Sequence, residues 1–181
     1  MDAPSLAIYL PQDRRQASGR DRLLPERATG SALFADISGF TALTEALTRT
    51  LGPRHGAEEV SNQLNRAYTA LIAQVDHFGG SVISFSGDAI TCWFDENNEL
   101  LEGDNQLSST VPPAVWASLR AVACALALQE ALRAFDVLAL PESTISLGIK
   151  VAVTSGPVRR FLVGDPDIQR IDVLGAPRMP K

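Results

Sequence analysis

Apolar residues spaced three or four positions apart mark three stretches of this sequence as helices. The longest stretch runs from Ala57 to Phe78 and forms one continuous helix face. A shorter helix is predicted at Thr41–Leu51, with Ser38 or Thr41 as its cap and Gly52-Pro53 as its end. The third, Pro113–Phe135, is mostly apolar and has proline in its first turn. Its water-facing side is predicted from the polar residues Arg120, Gln129, Glu130 and Arg133.

Short apolar runs bounded by glycine, proline or serine predict strands. Two of these runs flank Ser86-Gly87-Asp88 and predict a β-hairpin, and a further turn is predicted at Gly156-Pro157. The order β-α-α-β-β-α-β-β-β predicts an α+β fold, with a mostly antiparallel sheet and a ferredoxin-like βαββαβ core covered by helices. The predicted strands are Ala32–Ile37, Ser81–Phe85, Ala89–Phe94, Ile145–Thr154, Val158–Val163 and Ile168–Leu174.

The first 28 residues lack this periodicity and are rich in arginine. We therefore divide the chain into an N-terminal arm or linker, residues 1–28, and a domain, residues 29–181. The arm is either solvated or packed on the domain through its few apolar residues, Leu6, Ile8, Tyr9 and Leu10.

Composition and charge limit the classes of function that this chain can have. With 181 residues, 45% of them hydrophobic, the chain is long and apolar enough for one folded domain. Its net charge of −5 excludes nucleic-acid binding through bulk positive charge, so an anionic ligand needs local neutralisation or a metal. Cys92 and Cys124 are expected to be reduced core thiols. The longest apolar run, Ala121–Leu128, is too short to span a bilayer, and a cytoplasmic location is expected.

Two aspartates are candidate ligands for a metal ion because of their positions in the predicted sheet. Asp36 ends the first predicted strand just before a helix, and Asp88 lies at the tip of the hairpin. If that strand pairs with the hairpin, both carboxylates emerge at one edge of the sheet, where they suit Mg²⁺ or Mn²⁺ beside a helix N-terminus able to hold phosphate. Helix capping and turn formation by aspartate explain the same two residues without any ligand.

The residues around these carboxylates resemble the two metal-binding segments of class III adenylyl and guanylyl cyclase catalytic domains. The first is Leu33–Thr41, LFADISGFT, and the second is Phe85–Ala89, FSGDA. The resemblance covers about residues 30–175 and lies closest to the bacterial, soluble-adenylyl-cyclase-like branch. Three further segments are similar to that family: Phe78-Gly79-Gly80, Gly164-Asp165 and Val173-Leu174-Gly175.

This resemblance implies a set of roles. Asp36 and Asp88, with the main-chain carbonyl of Ile37, would hold two Mg²⁺ or Mn²⁺ ions per complete site. One ion would activate the ribose 3′-hydroxyl of ATP for in-line attack on the α-phosphorus, and the other would bind the triphosphate, giving 3′,5′-cyclic AMP and pyrophosphate. The phosphates would be held by the peptide N–H groups of Ser38, Gly39, Phe40 and Thr41.

The sequence departs from the family pattern at the remaining positions. Ser84 stands where the family has a base-contacting lysine, whereas Asp172 matches a base-selecting position. The transition-state asparagine would fall near Met179, and the arginine would fall beyond Lys181. Because family sites form between two domains, the resemblance implies the metal-giving half of a pair, with a C-terminally incomplete domain.

We therefore expect an adenylyl cyclase half that is active only with a second cyclase-like domain, in the same chain or in a homodimer. Two alternatives stay open: an inactive nucleotide-binding module that regulates through dimerisation, and a homodimeric guanylyl cyclase that uses GTP. Six other residues are expected to be structural: His55 in a loop, Lys150 in a salt bridge or snorkelling, Arg159 and Arg160 at the solvated surface, and Trp93 and Trp116 in the core.

Overall fold

The computed structural model describes residues 11, 13–14, 17, 24–97, 111–133, 138–140, 143–145, 147–165 and 169–175. Its main sheet has five strands in the order β2-β3-β1-β6-β7, and every neighbouring pair is antiparallel. A separate two-stranded sheet joins β4 and β5. The elements are β1 Arg27–Ser38, α1 Phe40–His77, β2 Ser81–Ser86, β3 Ala89–Asp95, α2 Pro113–Arg133, β4 Leu138–Leu140, β5 Ser143–Ile145, β6 Gly148–Asp165 and β7 Gln169–Gly175.

The α+β class and the ferredoxin-like core are confirmed. The segment β1-α1-β2-β3-α2-β6 supplies four sheet strands in the order β2-β3-β1-β6, with β1 in the interior between β3 and β6. The helical and strand spacings in the sequence therefore predicted this core, including the hairpin between β2 and β3, but not the separate sheet of β4 and β5.

Alternate residues of β1 face opposite sides of the sheet, as the two-residue period of a strand requires. Leu33, Ala35 and Ile37 are buried with residues of α1 and α2 in the main core. Phe34 and Asp36 are exposed on the other side. We call this side the open face; it consists of the even-numbered residues of β1 with their cross-strand partners on β3 and β6.

The interruption of α1 at Gly52 agrees with the predicted boundary between two helices. Gly52 has φ 81° and ψ 166°, which are not helical angles, and Pro53 follows it. The second helical stretch therefore begins at Pro53 rather than at Ala57, because proline is readily accommodated in a first helical turn. His55 is consequently an exposed helical residue, and the prediction of a loop there is wrong.

The turn predicted at Gly156-Pro157 does not form. β6 runs through it as one strand, with Gly156 opposite Gly30 and Pro157 opposite Thr29 of β1. Because β1 starts at Arg27, earlier than the apolar pattern predicted, it offers a partner along this whole stretch. Pro157 is tolerated because β7 pairs with β6 only from Arg159 onward, so no bond to β7 is lost.

Arg120 was predicted to face water, but its side chain is buried. Its guanidinium donates hydrogen bonds to the carbonyls of Phe78, at 3.3 Å, and Gly79, at 3.0 Å, just beyond the end of α1, and also to the carbonyl of Asp95. Carbonyls at a helix C-terminus lack intrahelical partners. Arg120 therefore ties α1, β3 and α2 together from inside the protein.

The helix α2 is long and apolar enough, by length and composition, to cross a membrane, which is weak support for such a role. Its inner side is packed into the core shared with the sheet, and that side also carries the buried Arg120. This is the behaviour of a core helix in a folded domain. Four exposed aliphatic residues follow its outer side: Val115, Leu119, Val122 and Leu126.

Near the N-terminus, the described residues contact the domain at the end of the open face remote from Asp36. Asp13 forms an ion pair with Arg160 at 2.5 Å, and its main-chain N–H and side chain bond to Ser81. Arg160 is therefore buried, contrary to the prediction for it, while Arg159 is exposed as expected. We call Asp13, Ser81, Asp95 and Arg160 the clasp. Leu6, Ile8, Tyr9 and Leu10, the apolar residues considered for this contact, lie outside the described residues.

The predicted core residues are largely confirmed. Cys92 and Cys124 are free, fully buried thiols, and Trp93 is also buried. Trp116 is only half-buried. Lys150 is exposed and stands opposite Asp36 in the pairing of β1 with β6.

Candidate active site

The two carboxylates singled out in the sequence lie at the same end of the sheet. Asp36 is near the end of β1 and pairs with Ala89, the first residue of β3, so it is next to Asp88 in the hairpin turn. The main chain reinforces this arrangement, because the N–H of Ile37 donates to the carbonyl of Asp88 at 3.0 Å. The expected pairing of the first strand with the hairpin is thus confirmed.

Tyr68 of α1 also contacts this turn. Its hydroxyl donates to the carbonyl of Gly87 at 2.8 Å, and its ring meets the ring of Phe85 edge-on at a centroid distance of 5.3 Å. Burial raises the pKa of Tyr68, and the negative charges of Asp88 and Asp36 raise it further. Both carboxylates are therefore within electrostatic reach of one phenol group.

Asp36 and Asp88 are exposed and form no ion pair with the described residues. A cation bound by both carboxylates would offset their negative charges. We call Asp36, on the open face, together with Asp88, in the adjoining turn, the acidic end of the open face. Within the described part of the chain, no group of three or more His, Cys, Asp or Glu side chains is assembled for a metal.

The helix α1 begins four residues beyond Asp36. Its cap residue, Gly39, has φ 94°, in the left-handed region that favours glycine, and makes no side-chain capping bond. The predicted capping by Ser38 or Thr41 is therefore wrong. The first turn also contains no acidic residue. Its N–H groups and the positive end of the helix dipole are left for water or an anion.

The structure does not bring Asp172 to this end. In the sheet register Asp172 of β7 is opposite Leu162 of β6, whereas Asp36 is opposite Lys150. Lys150 and Leu162 are twelve residues apart on β6, which corresponds to about 40 Å of strand. Asp172 and Asp36 of one chain therefore cannot share a small ligand.

Ser84 lies on β2, opposite Thr91 of β3. It is half-buried in the sheet, two strands away from Asp36. Its short hydroxyl side chain carries no charge and cannot replace a long cationic side chain in reach or in chemistry. The structure thus leaves this position without a base-contacting cation.

The residues at the acidic end fit a hard divalent cation. Side-chain donors there are carboxylate oxygens, and main-chain carbonyls of β1 lie nearby, which is the donor chemistry that Mg²⁺ and Mn²⁺ prefer. A soft-metal site would need sulfur or imidazole ligands, and the two described cysteines are buried elsewhere in the core.

Sequence reasoning missed Tyr68, which was not among the residues assigned to the apolar face of the long helix. A usable signal was present, because a tyrosine on a core-facing helix stripe needs a partner for its hydroxyl. The helical spacing from Leu64 to Leu71 places Tyr68 on that stripe. Its partner, the hairpin carbonyl, becomes evident only when α1 is packed on β2 and β3.

In sequence, the chain is similar to adenylate cyclase type 10 of Rattus norvegicus, with 27% identity over 157 residues. That match covers 83% of this chain but only 9% of the relative, so the chain spans about a tenth of that protein's length. A match to the Homo sapiens adenylate cyclase type 10 has 39% identity over 72 residues, which cover 39% of this chain and 4% of that protein. No protein-family model matches the chain.

In structure, the chain is similar to the adenylyl cyclase CyaB from P. aeruginosa, with a TM-score of 0.62 at 20% identity, covering 85% of this chain and 68% of that one. It is also similar to the guanylyl cyclase Cya2, with a TM-score of 0.58 at 25% identity, covering 85% and 66%. The fold is that of class III nucleotide cyclase domains, and the resemblance found in the sequence is confirmed. Because the structural neighbours include both adenylyl and guanylyl cyclases, the fold by itself does not select the base.

Proposed function

We propose that this chain is the metal-giving half of an adenylyl cyclase that converts ATP to 3′,5′-cyclic AMP and pyrophosphate with a complementary domain. The observation that carries the proposal is the placement of Asp36 and Asp88 side by side, exposed and without a cationic partner among the described residues. Similarity to adenylate cyclase type 10 supports ATP as the substrate. The buried, free thiols fit the reducing cytoplasm, where we propose that the protein works.

In this proposal Asp36, Asp88 and the carbonyl of Ile37 hold Mg²⁺ or Mn²⁺. Such ions would supply charge neutralisation on the triphosphate and activation of the ribose hydroxyl. The protein contributes the position of the carboxylates, which the Ile37–Asp88 main-chain bond sets. The main-chain N–H groups from Ser38 to Thr41, which span the end of β1 and the start of α1, would hold the phosphates and offset their charge.

The second half of the site has to come from another domain. Ser84 provides no cation for the base, and Asp172 is about 40 Å of strand away from Asp36 along β6. A base-selecting Asp172 could act only in a site completed by another chain or domain. We therefore propose that the functional unit is a pair of cyclase-like domains, and that the isolated chain has little or no activity.

A second function is favoured by one specific observation, Ser84. If the partner also lacks the base-contacting lysine, the pair would bind nucleotide and regulate a neighbouring domain without turnover. That module should bind ATP with Mn²⁺ but yield no cyclic AMP in any pairing, which separates it from the cyclase proposal.

The test mixes this chain with a cyclase domain that carries the lysine, asparagine and arginine, adds ATP and Mn²⁺, and measures cyclic AMP. We expect product from the mixture and at least about a hundredfold less with Asp36→Ala or Asp88→Ala, because metal-borne charge stabilisation is worth several kcal/mol. Glu130→Gln removes an exposed acid elsewhere and is the matched control. Equal product from Asp36→Ala and the parent would overturn the proposal.

A further inference from the structure

The turn that carries Asp88 is held from two directions. From the β1 side, the N–H of Ile37 binds the carbonyl of Asp88 at 3.0 Å. From the helix side, the hydroxyl of Tyr68 binds the carbonyl of Gly87 at 2.8 Å. Two consecutive carbonyls of one short turn are thus fixed by two different elements, and the Asp88 side chain stays exposed.

Without the Tyr68 bond, the tip of this hairpin would be held mainly by its own ladder and by Ile37. Gly87 has φ 63°, a conformation that glycine adopts at little cost and can also leave at little cost. A two-residue turn with such a glycine is compact, and a hydrogen bond from another element further restricts the peptide that it binds. The hydroxyl of Tyr68 fixes the peptide that directly precedes Asp88.

The ring of Tyr68 has a separate structural role. It packs partly buried against the main core and meets Phe85 edge-on, at an interplanar angle of 83°. Phenylalanine at position 68 would keep this packing and lose only the hydroxyl. The hydrogen bond to Gly87 can therefore be removed without emptying space in the core.

We propose that Tyr68 is a positioning residue that orients the Gly87-Asp88 turn so that Asp88 faces Asp36 and both bind one divalent-ion site. This inference rests on the proposed function of the two carboxylates. Tyr68 acts through the main chain of Gly87 and touches neither metal nor nucleotide.

The test measures Mn²⁺ binding to the full chain by electron paramagnetic resonance of free Mn²⁺, with no cyclase assay. We expect Tyr68→Phe to raise the Kd for Mn²⁺ by about threefold to tenfold, the range for one hydrogen bond. Thr69→Val is the matched control, because its hydroxyl bonds to Asn65 within the same helix and not to the turn. An unchanged Kd in Tyr68→Phe, beside a large loss in Asp88→Asn, would overturn the inference.

Two further measurements separate positioning from general stability. The effect of Tyr68→Phe on Mn²⁺ binding should vanish in an Asp88→Asn background, where the positioned ligand is gone, whereas an effect through stability would persist there. If Asp36→Asn and Asp88→Asn leave Mn²⁺ binding unchanged, the proposed metal site itself fails, which is a different outcome from a failure of Tyr68 alone. If Tyr68→Phe does not fold, hydrogen exchange of the peptide spanning residues 85–92 in the parent provides the test: added Mn²⁺ should slow it, and no change would count against the inference.

Discussion

At the acidic end of the open face, Asp36 and Asp88 are exposed and have no cationic partner among the described residues. At the other end, Asp13 is held 2.5 Å from Arg160, whose side chain is only 3% exposed. The two groups lie toward opposite ends of β1, because Asp95 of the clasp is opposite Gly30 whereas Asp36 is opposite Ala89 at the start of β3. The residue type is identical, so its surroundings decide the role.

In the clasp, the aspartates stabilise the fold by pairing with a buried arginine. Arg160 lies between Asp13 at 2.5 Å and Asp95 at 3.8 Å, and Asp95 also accepts a bond from Trp93. Removing a charge from water is costly, so the guanidinium and carboxylates must stay together. The acidic end has the opposite property, because its carboxylates keep their water and are free to exchange it for a cation.

The largest expected effect comes from breaking the clasp. Arg160→Met leaves Asp13 and Asp95 partly buried without their cation, and we expect the free energy of unfolding to fall by about 2–4 kcal/mol. Chemical denaturation measures this loss. Arg159→Met, at the exposed neighbour, is the control and should change stability by no more than about 0.5 kcal/mol. Similar losses in both variants would mean that the clasp does not stabilise the domain.

At the acidic end we expect the opposite pattern: substitutions change stability little without metal and reduce the stabilisation that added metal provides. In EDTA, Asp36→Asn and Asp88→Asn should each stay within about 0.5 kcal/mol of the parent, because both residues are exposed. At a Mn²⁺ concentration of about 100 times its Kd, the parent should gain about 2.7 kcal/mol of stability, and the two variants should lose most of that gain. A loss in EDTA as large as that of Arg160→Met would show that these carboxylates are structural.

The contrast also shows what the sequence could predict. Helix and strand periods predicted the fold class and the elements up to α2, and the motif around Asp36 pointed to the acidic end, because both signals are local. The order after α2 was predicted incorrectly, since β4 was not foreseen and two predicted strands form the single strand β6. Arg160 and Arg120 were misassigned to the surface because arginine is usually exposed. Their partners, Asp13 and the carbonyls beyond α1, are 147 and about 41 residues away in the chain. Such long-range polar contacts produce no periodic pattern in the sequence, so the sequence alone does not predict them.

The same reasoning explains the missing turn at Gly156-Pro157. Glycine and proline favour a turn locally, but β1 offers an extended backbone partner from Arg27 onward, and the ladder with β6 prevails. Tyr68 was overlooked for a related reason, since the carbonyl that its hydroxyl binds belongs to a hairpin 19 residues further along the chain.

The last test asks which of the two ends holds the core between them closed, and its smallest expected effect is that of Asp36→Asn. Cys92 is on β3 opposite Leu33, midway between the clasp and the acidic end, and it is fully buried with Cys124 in the same core. Burial raises the pKa of both thiols, that of Cys124 to about 12. At pH 8 the thiolate of Cys124 should therefore be about a thousandfold scarcer than that of an ordinary thiol, and labelling should require opening of the fold.

With a chromogenic disulfide reagent, Arg160→Met should speed labelling of the cysteines in proportion to its lost stability, about tenfold per 1.4 kcal/mol. Asp36→Asn should leave the rate unchanged, because it removes nothing that holds the core closed, and equal acceleration in both variants would contradict the distinction between the two ends.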